Sequence, residues 1–70
     1  FSYDNKSLSQ ISAQLGNYLN KKIVLPKDAR NVQYTGKFDH PTAESVAEII
    51  ATALNWNYQI TDNEIVFTKR

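Results

Sequence analysis

Residues able to do chemistry are few in this chain, and they do not converge. The single histidine, His40, stands between Asp39 and Pro41. Adjacent residues cannot form a charge-relay geometry, and no nucleophile is marked by a surrounding pattern. His40 therefore reads as a turn histidine before a helix. Metal chemistry meets the same obstacle: there is one histidine and no cysteine, and Asp62-Asn63-Glu64 is far too short for a calcium loop. Gly16 and Gly36 stand alone, so no glycine-rich phosphate loop is present. The expectation is no enzyme, no cofactor and no metal site.

Charge narrows the partners. Eight Lys+Arg against seven Asp+Glu give +1 over 70 residues, whereas a phosphate-binding domain carries a basic stripe. The tightest basic cluster is the pair Lys21-Lys22. Rings that could stack bases exist (Tyr34, Phe38, Trp56, Tyr58, Phe67), but strand alternation turns most of them inward, and no basic face flanks them. Nucleic acid is not expected as a partner. No apolar run approaches the roughly 20 residues of a membrane span, so direct membrane insertion is not expected either, and no signal-peptide pattern is present. The chain starts with Phe1 in a strand-like stretch, which reads as a piece of a longer protein. The absence of cysteine fits an extracytoplasmic domain and any other redox compartment too. Seventy residues make one domain, 1–70.

The elements come from periodicity. Leu8, Ile11, Leu15, Tyr18 and Leu19 form one apolar stripe and predict a helix over Leu8–Leu19. Ser7 is its cap, with Gln10 at the capping-box position. Gly16 inside this helix fits either close packing or a tolerated surface position. Val46, Ile49, Ile50, Ala53 and Leu54 predict a second helix over Ala43–Leu54, capped by Thr42 and more apolar all round, hence central and covered on more than one side. Asn20 and Asn55 follow the last apolar residues as left-handed stop signals.

Strands are expected at Phe1–Asp4, Lys22–Leu25, Val32–Phe38, Trp56–Ile60 and Glu64–Thr68, with a polar loop at Pro26–Asn31. Val32, Tyr34, Gly36 and Phe38 point one way and Gln33, Thr35 and Lys37 the other. Trp56, Tyr58 and Ile60 share a face. A hairpin turn follows, with Asn63 as its candidate for positive φ.

Displaced by 35 positions, half of its 70 residues, the chain overlays itself without a gap. Tyr3-Asp4 falls on Phe38-Asp39, Ser7 on Thr42, Ile11 on Val46, Leu15 on Ile50, Leu19 on Leu54 and Asn20 on Asn55. The fold class is therefore α+β, with duplicated β-α-β units in the order β-α-β-β-α-β-β. Two small sheets gripping the helix pair, or one sheet with both helices on one side, satisfy the layer rule; the first is the expectation.

Chemistry and charge leave protein recognition through surface and strand edges. The residues then add a resemblance. Tyr3-Asp4-Asn5-Lys6-Ser7-Leu8 with Ile11, Leu15 and Ile23 looks like the opening unit of a known bacterial domain. It continues with Tyr34-Thr35-Gly36-Lys37-Phe38, with Ser45-Val46 and Ile49, and closes with Leu54-Asn55-Trp56-Asn57-Tyr58 and Ile65-Val66-Phe67. This pattern resembles the C-terminal domain of FecR-type anti-sigma regulators, especially those of Bacteroidetes. More distantly it is similar to the secretin and TonB N-terminal (STN) domain. Many members have glycine where Asn20 and Asn55 stand, and leucine where Ala43 stands.

The resemblance implies a periplasmic module of an inner-membrane-anchored regulator. Its partner would be the N-terminal signalling domain of a TonB-dependent receptor. The regulator's missing cytoplasmic part would hold an extracytoplasmic-function sigma factor, and this domain would be monomeric. Ending at Lys69-Arg70 after the last strand agrees with a natural C-terminus. Two alternatives are a receptor's own N-terminal signalling domain and a secretin-like domain that self-assembles. The outward residues Gln33, Thr35 and Lys37 are the candidate partner-binding patch.

Overall fold

Both helices fall where the apolar stripes place them. The computed structural model describes residues 1–70 and gives β1 (Ser2–Ser7), α1 (Leu8–Leu19), β2 (Lys22–Val24), β3 (Gln33–Lys37), α2 (Ala43–Leu54), β4 (Trp56–Ile60) and β5 (Glu64–Lys69). Two sheets form. One is the antiparallel pair β1-β3, and the other has the order β2-β5-β4, with β2 parallel and β4 antiparallel to the central β5. α1 packs on β1 of the small sheet and β2 of the large one, while α2 packs on β4 and β5.

The caps explain the helix boundaries. Ser7 is extended, and its hydroxyl accepts the Gln10 N–H at 3.3 Å. The expected reciprocal half does not form, because the Gln10 Oε1 faces the Ser7 hydroxyl at 3.4 Å instead of the backbone. The loop after β2 takes over: the Leu8 and Ser9 amides donate to the carbonyls of Val32 (2.8 Å) and Arg30 (3.1 Å). At α2 a full capping box is present, closed by Ser45. The Ser45 N–H donates to Thr42 Oγ1 at 3.1 Å, and the Thr42 N–H donates to Ser45 Oγ at 2.9 Å. Thr42→Ala is expected to cost about 1 kcal/mol, the worth of such a cap, read as a lower denaturant midpoint with an unchanged slope.

Asn20 and Asn55 end the helices in the left-handed region, at φ 58 and 59. After α1 the Asn20 and Lys21 amides donate to the carbonyls of Asn17 and Gly16, a Schellman pair. After α2 the Asn55 amide makes the simpler bond to Ala51.

The internal repeat is visible in the backbone. Displacement by half the chain carries α1 onto α2, Ser7 onto Thr42 and Asn20 onto Asn55. It also carries Asn5 onto His40, both left-handed at φ 56 and 50, each two residues before its cap. Ser2 pairs with Lys37, its own repeat mate, in the antiparallel β1-β3 ladder. That pairing is what a pseudo-twofold axis between the units requires. The repeat-related β2 and β4 are likewise antiparallel to each other, with β5 inserted between them.

The core is the set Tyr3, Leu8, Ile11, Leu15, Ala29, Phe38, Val46, Ala47, Ile50, Ala51, Trp56, Ile65 and Phe67. Several expectations are corrected by it. Ile49 is 39% exposed and Ala53 is exposed, so α2 is not covered on more than one side. The helix instead turns its small residues Ala47 and Ala51 inward, alongside Val46 and Ile50. Tyr18 is 57% exposed and lies edge-on against Phe1, ring centroids 5.0 Å apart. Tyr58 leaves the inward face of β4 and is 39% exposed, while Trp56 is buried. β1 runs on to Ser7 because a bulge at Asp4-Asn5 absorbs the register shift. Asn63 does not take positive φ. The β4–β5 turn is built on Thr61, whose hydroxyl accepts the Glu64 N–H at 3.0 Å and whose amide donates to the Glu64 carbonyl at 2.8 Å. The polar loop has an apolar anchor, the fully buried Ala29, whose N–H donates to the Pro26 carbonyl.

Candidate protein-interaction surface

The small sheet positions the three outward residues. β3 alternates as expected: Gln33, Thr35 and Lys37 are exposed, Tyr34 and Gly36 are half-buried, and Phe38 is buried just beyond the strand. The three thus lie on one face. Their roles differ, however. Thr35 Oγ1 accepts the Asn5 N–H at 2.9 Å, filling the gap left by the β1 bulge, so its hydroxyl serves the fold. Lys37 stands opposite Ser2 and Gln33 opposite Ser7, with short neighbours that leave both long side chains accessible. Since this sheet has only two strands, the far edge of β3 presents unpaired backbone groups, the geometry that accepts an added strand.

His40 is on the turn before α2, its side chain 95% exposed and its Nε2 3.8 Å from Asp39 Oδ1. No three His, Cys, Asp or Glu side chains gather in a metal-ligating group. Trp56 and Phe67 pack within the core as a tilted pair at a centroid distance of 6.0 Å, and Phe38 packs against Tyr3 and Tyr34.

A second surface was not foreseen. Arg30 is separated in sequence from the pair Lys21-Lys22, and the turn after α1 and the loop after β2 bring all three to the rim of one groove of about 450 Å³. Lys21 Nζ is fixed by the Thr61 and Asp62 carbonyls, both at 2.8 Å, and Arg30 Nη2 donates to Ser9 Oγ at 2.8 Å. Spacing along the chain gives no sign of this grouping, because it depends on where the loop crosses α1.

On the other unit, the Tyr58 hydroxyl donates to Glu48 Oε2 at 3.1 Å. That bond to the carboxylate, then the Glu48 charge, weak desolvation and the Glu44 charge raise the phenol above its ordinary value. A folded value above the unfolded one means any stability this contributes is complete below the ordinary phenol range. It is lost as pH rises through the folded value. Glu48→Ala is expected to lower the Tyr58 midpoint, observable by carbon-13 tyrosine NMR. Burial raises Tyr3 in the same direction.

The whole of this architecture, from β1 into β5, falls under one description: the family model "FecR, C-terminal" matches residues 1–67. The chain belongs to the FecR C-terminal family. No curated protein and no solved structure matches it. FecR membership makes it a domain of a signalling regulator and gives it a regulatory, protein-contacting role. FecR proteins are membrane-anchored, and no helix of this domain is long and apolar enough to cross a membrane.

Proposed function

We propose that this FecR C-terminal domain is a non-catalytic periplasmic module that senses the N-terminal signalling domain of a TonB-dependent outer-membrane receptor. Its parent regulator holds an extracytoplasmic-function sigma factor on the other side of the inner membrane. Contact in the periplasm changes that grip. The observation that carries this reading is the family match over residues 1–67. The structure adds support: the domain's buried residues are apolar, and its accessible features are strand edges and charged rims.

The patch at Gln33 and Lys37 belongs to the proposal, with the open β3 edge as its backbone. Calorimetry of the receptor's signalling domain against the Gln33→Glu, Lys37→Glu double variant tests it. Both positions are exposed, so the fold is expected to survive. Affinity is expected to fall by about tenfold, as a repulsive pair at a rim produces. Unchanged affinity would remove this patch from the account.

A further inference from the structure

The repeat supplies an internal control for the groove between α1 and β2. In the second unit Glu44 and Glu48 stand where Ser9 and Ala13 stand in the first, and Tyr58 stands where Ile23 does. Tyr58 is hydrogen-bonded to Glu48 there, so this place is acidic and bridged by a side chain. In the first unit the same place is open. Its lining includes Lys21, Lys22 and Arg30 and no carboxylate. Asp28, Asp62 and Glu64 are near in the chain, yet none of them lines it; Asp62 contributes only its carbonyl to Lys21. The helix side is built from small residues, Ser9, Ser12, Ala13 and Gly16, which leave the room. Ser12 also carries a buried Oγ without a hydrogen-bond partner.

We infer that this groove receives a carboxylate-bearing segment of the signalling partner, with Lys22 and Arg30 as its charged contacts. Lys21 is held by backbone carbonyls and sets the rim, while Lys22 and Arg30 are exposed. The groove has room for one or two acidic side chains. The inference rests on the receptor reading above for the partner's identity; the charge complementarity stands on the groove alone.

The test is a nitrogen-15 NMR titration of the chain with a capped peptide of alternating aspartate and glutamate, at low and at high salt. Shifts are expected to centre on Gly16, Asn17, Lys22, Asn63 and the Arg30 side chain, and to weaken with salt. Ala13→Glu writes the second unit's acid into the first at an exposed position, so folding is not at stake. It is expected to weaken the peptide by about tenfold. Lys22→Gln, a second variant, is expected to weaken it less. Shifts spread evenly over Lys6, Lys37 and Lys69, or an unchanged affinity in Ala13→Glu, would overturn the groove. So would inorganic phosphate matching the peptide's shifts and affinity. Concentration-dependent shifts of the unmixed chain at the groove and at Glu44 and Glu48 would overturn it in favour of a second copy. The receptor's signalling domain separates the two claims. If it binds equally well to Ala13→Glu, the groove falls and the receptor reading stands. If it fails to bind while the peptide does, the receptor reading falls and the acid-binding groove stands.

Discussion

Ile50→Ala removes a large share of the domain's stability and lowers its denaturant midpoint steeply. Ile50 is fully buried in α2 among Val46, Ala47 and Ala51. Truncating such a residue costs about 2–5 kcal/mol, the lost transfer energy plus the cavity. At roughly 0.05–0.15 kcal/mol per residue, 70 residues hold about 3.5–10 kcal/mol in total, so this loss takes a large share of the stability. No disulfide is present, and the Asp39–His40 contact is an exposed one between neighbouring residues, so neither offsets the loss. Leu15, the repeat mate of Ile50 and equally buried, is expected to behave the same way. Ile49→Ala is the control. It removes the same atoms one residue earlier from a side chain that is 39% exposed, and is expected to cost under about 1 kcal/mol. Equal costs at 49 and 50 in a denaturant titration would mean that α2 is rotated from the orientation described.

Gly16→Ala destabilises the domain, against the helix propensity that favours alanine by about 1 kcal/mol. A Cβ at Gly16 would lie 2.8 Å from the Lys21 carbonyl oxygen. That carbonyl cannot step aside freely, since the Lys21 amide is bonded to the Gly16 carbonyl at 3.0 Å and its ammonium to the β4–β5 turn. Overpacking of this kind costs about 1–3 kcal/mol, so the net sign is unfavourable. Alanine is accepted at the repeat-related Ala51, where the chain leaves α2 through the looser single-bond cap. A higher melting temperature for Gly16→Ala would contradict the close approach of α1 to the turn that leads into β2.

These two positions show what the sequence reveals and what it withholds. Helix limits were legible to the residue because Ser7, Thr42, Asn20 and Asn55 act locally: a hydroxyl cap and a left-handed asparagine need no tertiary context. The alternation of β3 was legible for the same reason, since one face meets the core and the other meets water. The rotation of α2 was not legible. Its apolar residues nearly encircle the helix, so periodicity could not choose between Ile49 and the small Ala47 and Ala51. The choice is made by tertiary packing, since α2 lays Ala47 and Ala51 against β4 and β5 and leaves Ile49 exposed. The positive φ expected at Asn63 failed because Thr61 solves the turn with its hydroxyl. The capping box of α2 carries no sequence signature because serine, not glutamate, closes it. Of the outward patch, exposure was foreseen at all three residues, but not the engagement of Thr35 by the β1 bulge. The basic groove depends on the path of the loop after β2, which crosses α1 through Arg30 and Val32, and no local pattern encodes that crossing.

The central claim is that this domain binds another protein's signalling domain through its surface. The most direct measurement is a nitrogen-15 titration of the chain with the proposed partner, the N-terminal signalling domain of a TonB-dependent receptor. Saturable shifts are predicted on one contiguous surface, taking in the β3 edge near Gln33 and Lys37 or the groove at Lys22 and Arg30, with the core amides of Ile50 and Phe67 undisturbed. No shifts at near-millimolar receptor domain, together with line broadening of the unmixed chain as its own concentration rises, would contradict the account and mark the domain as self-assembling.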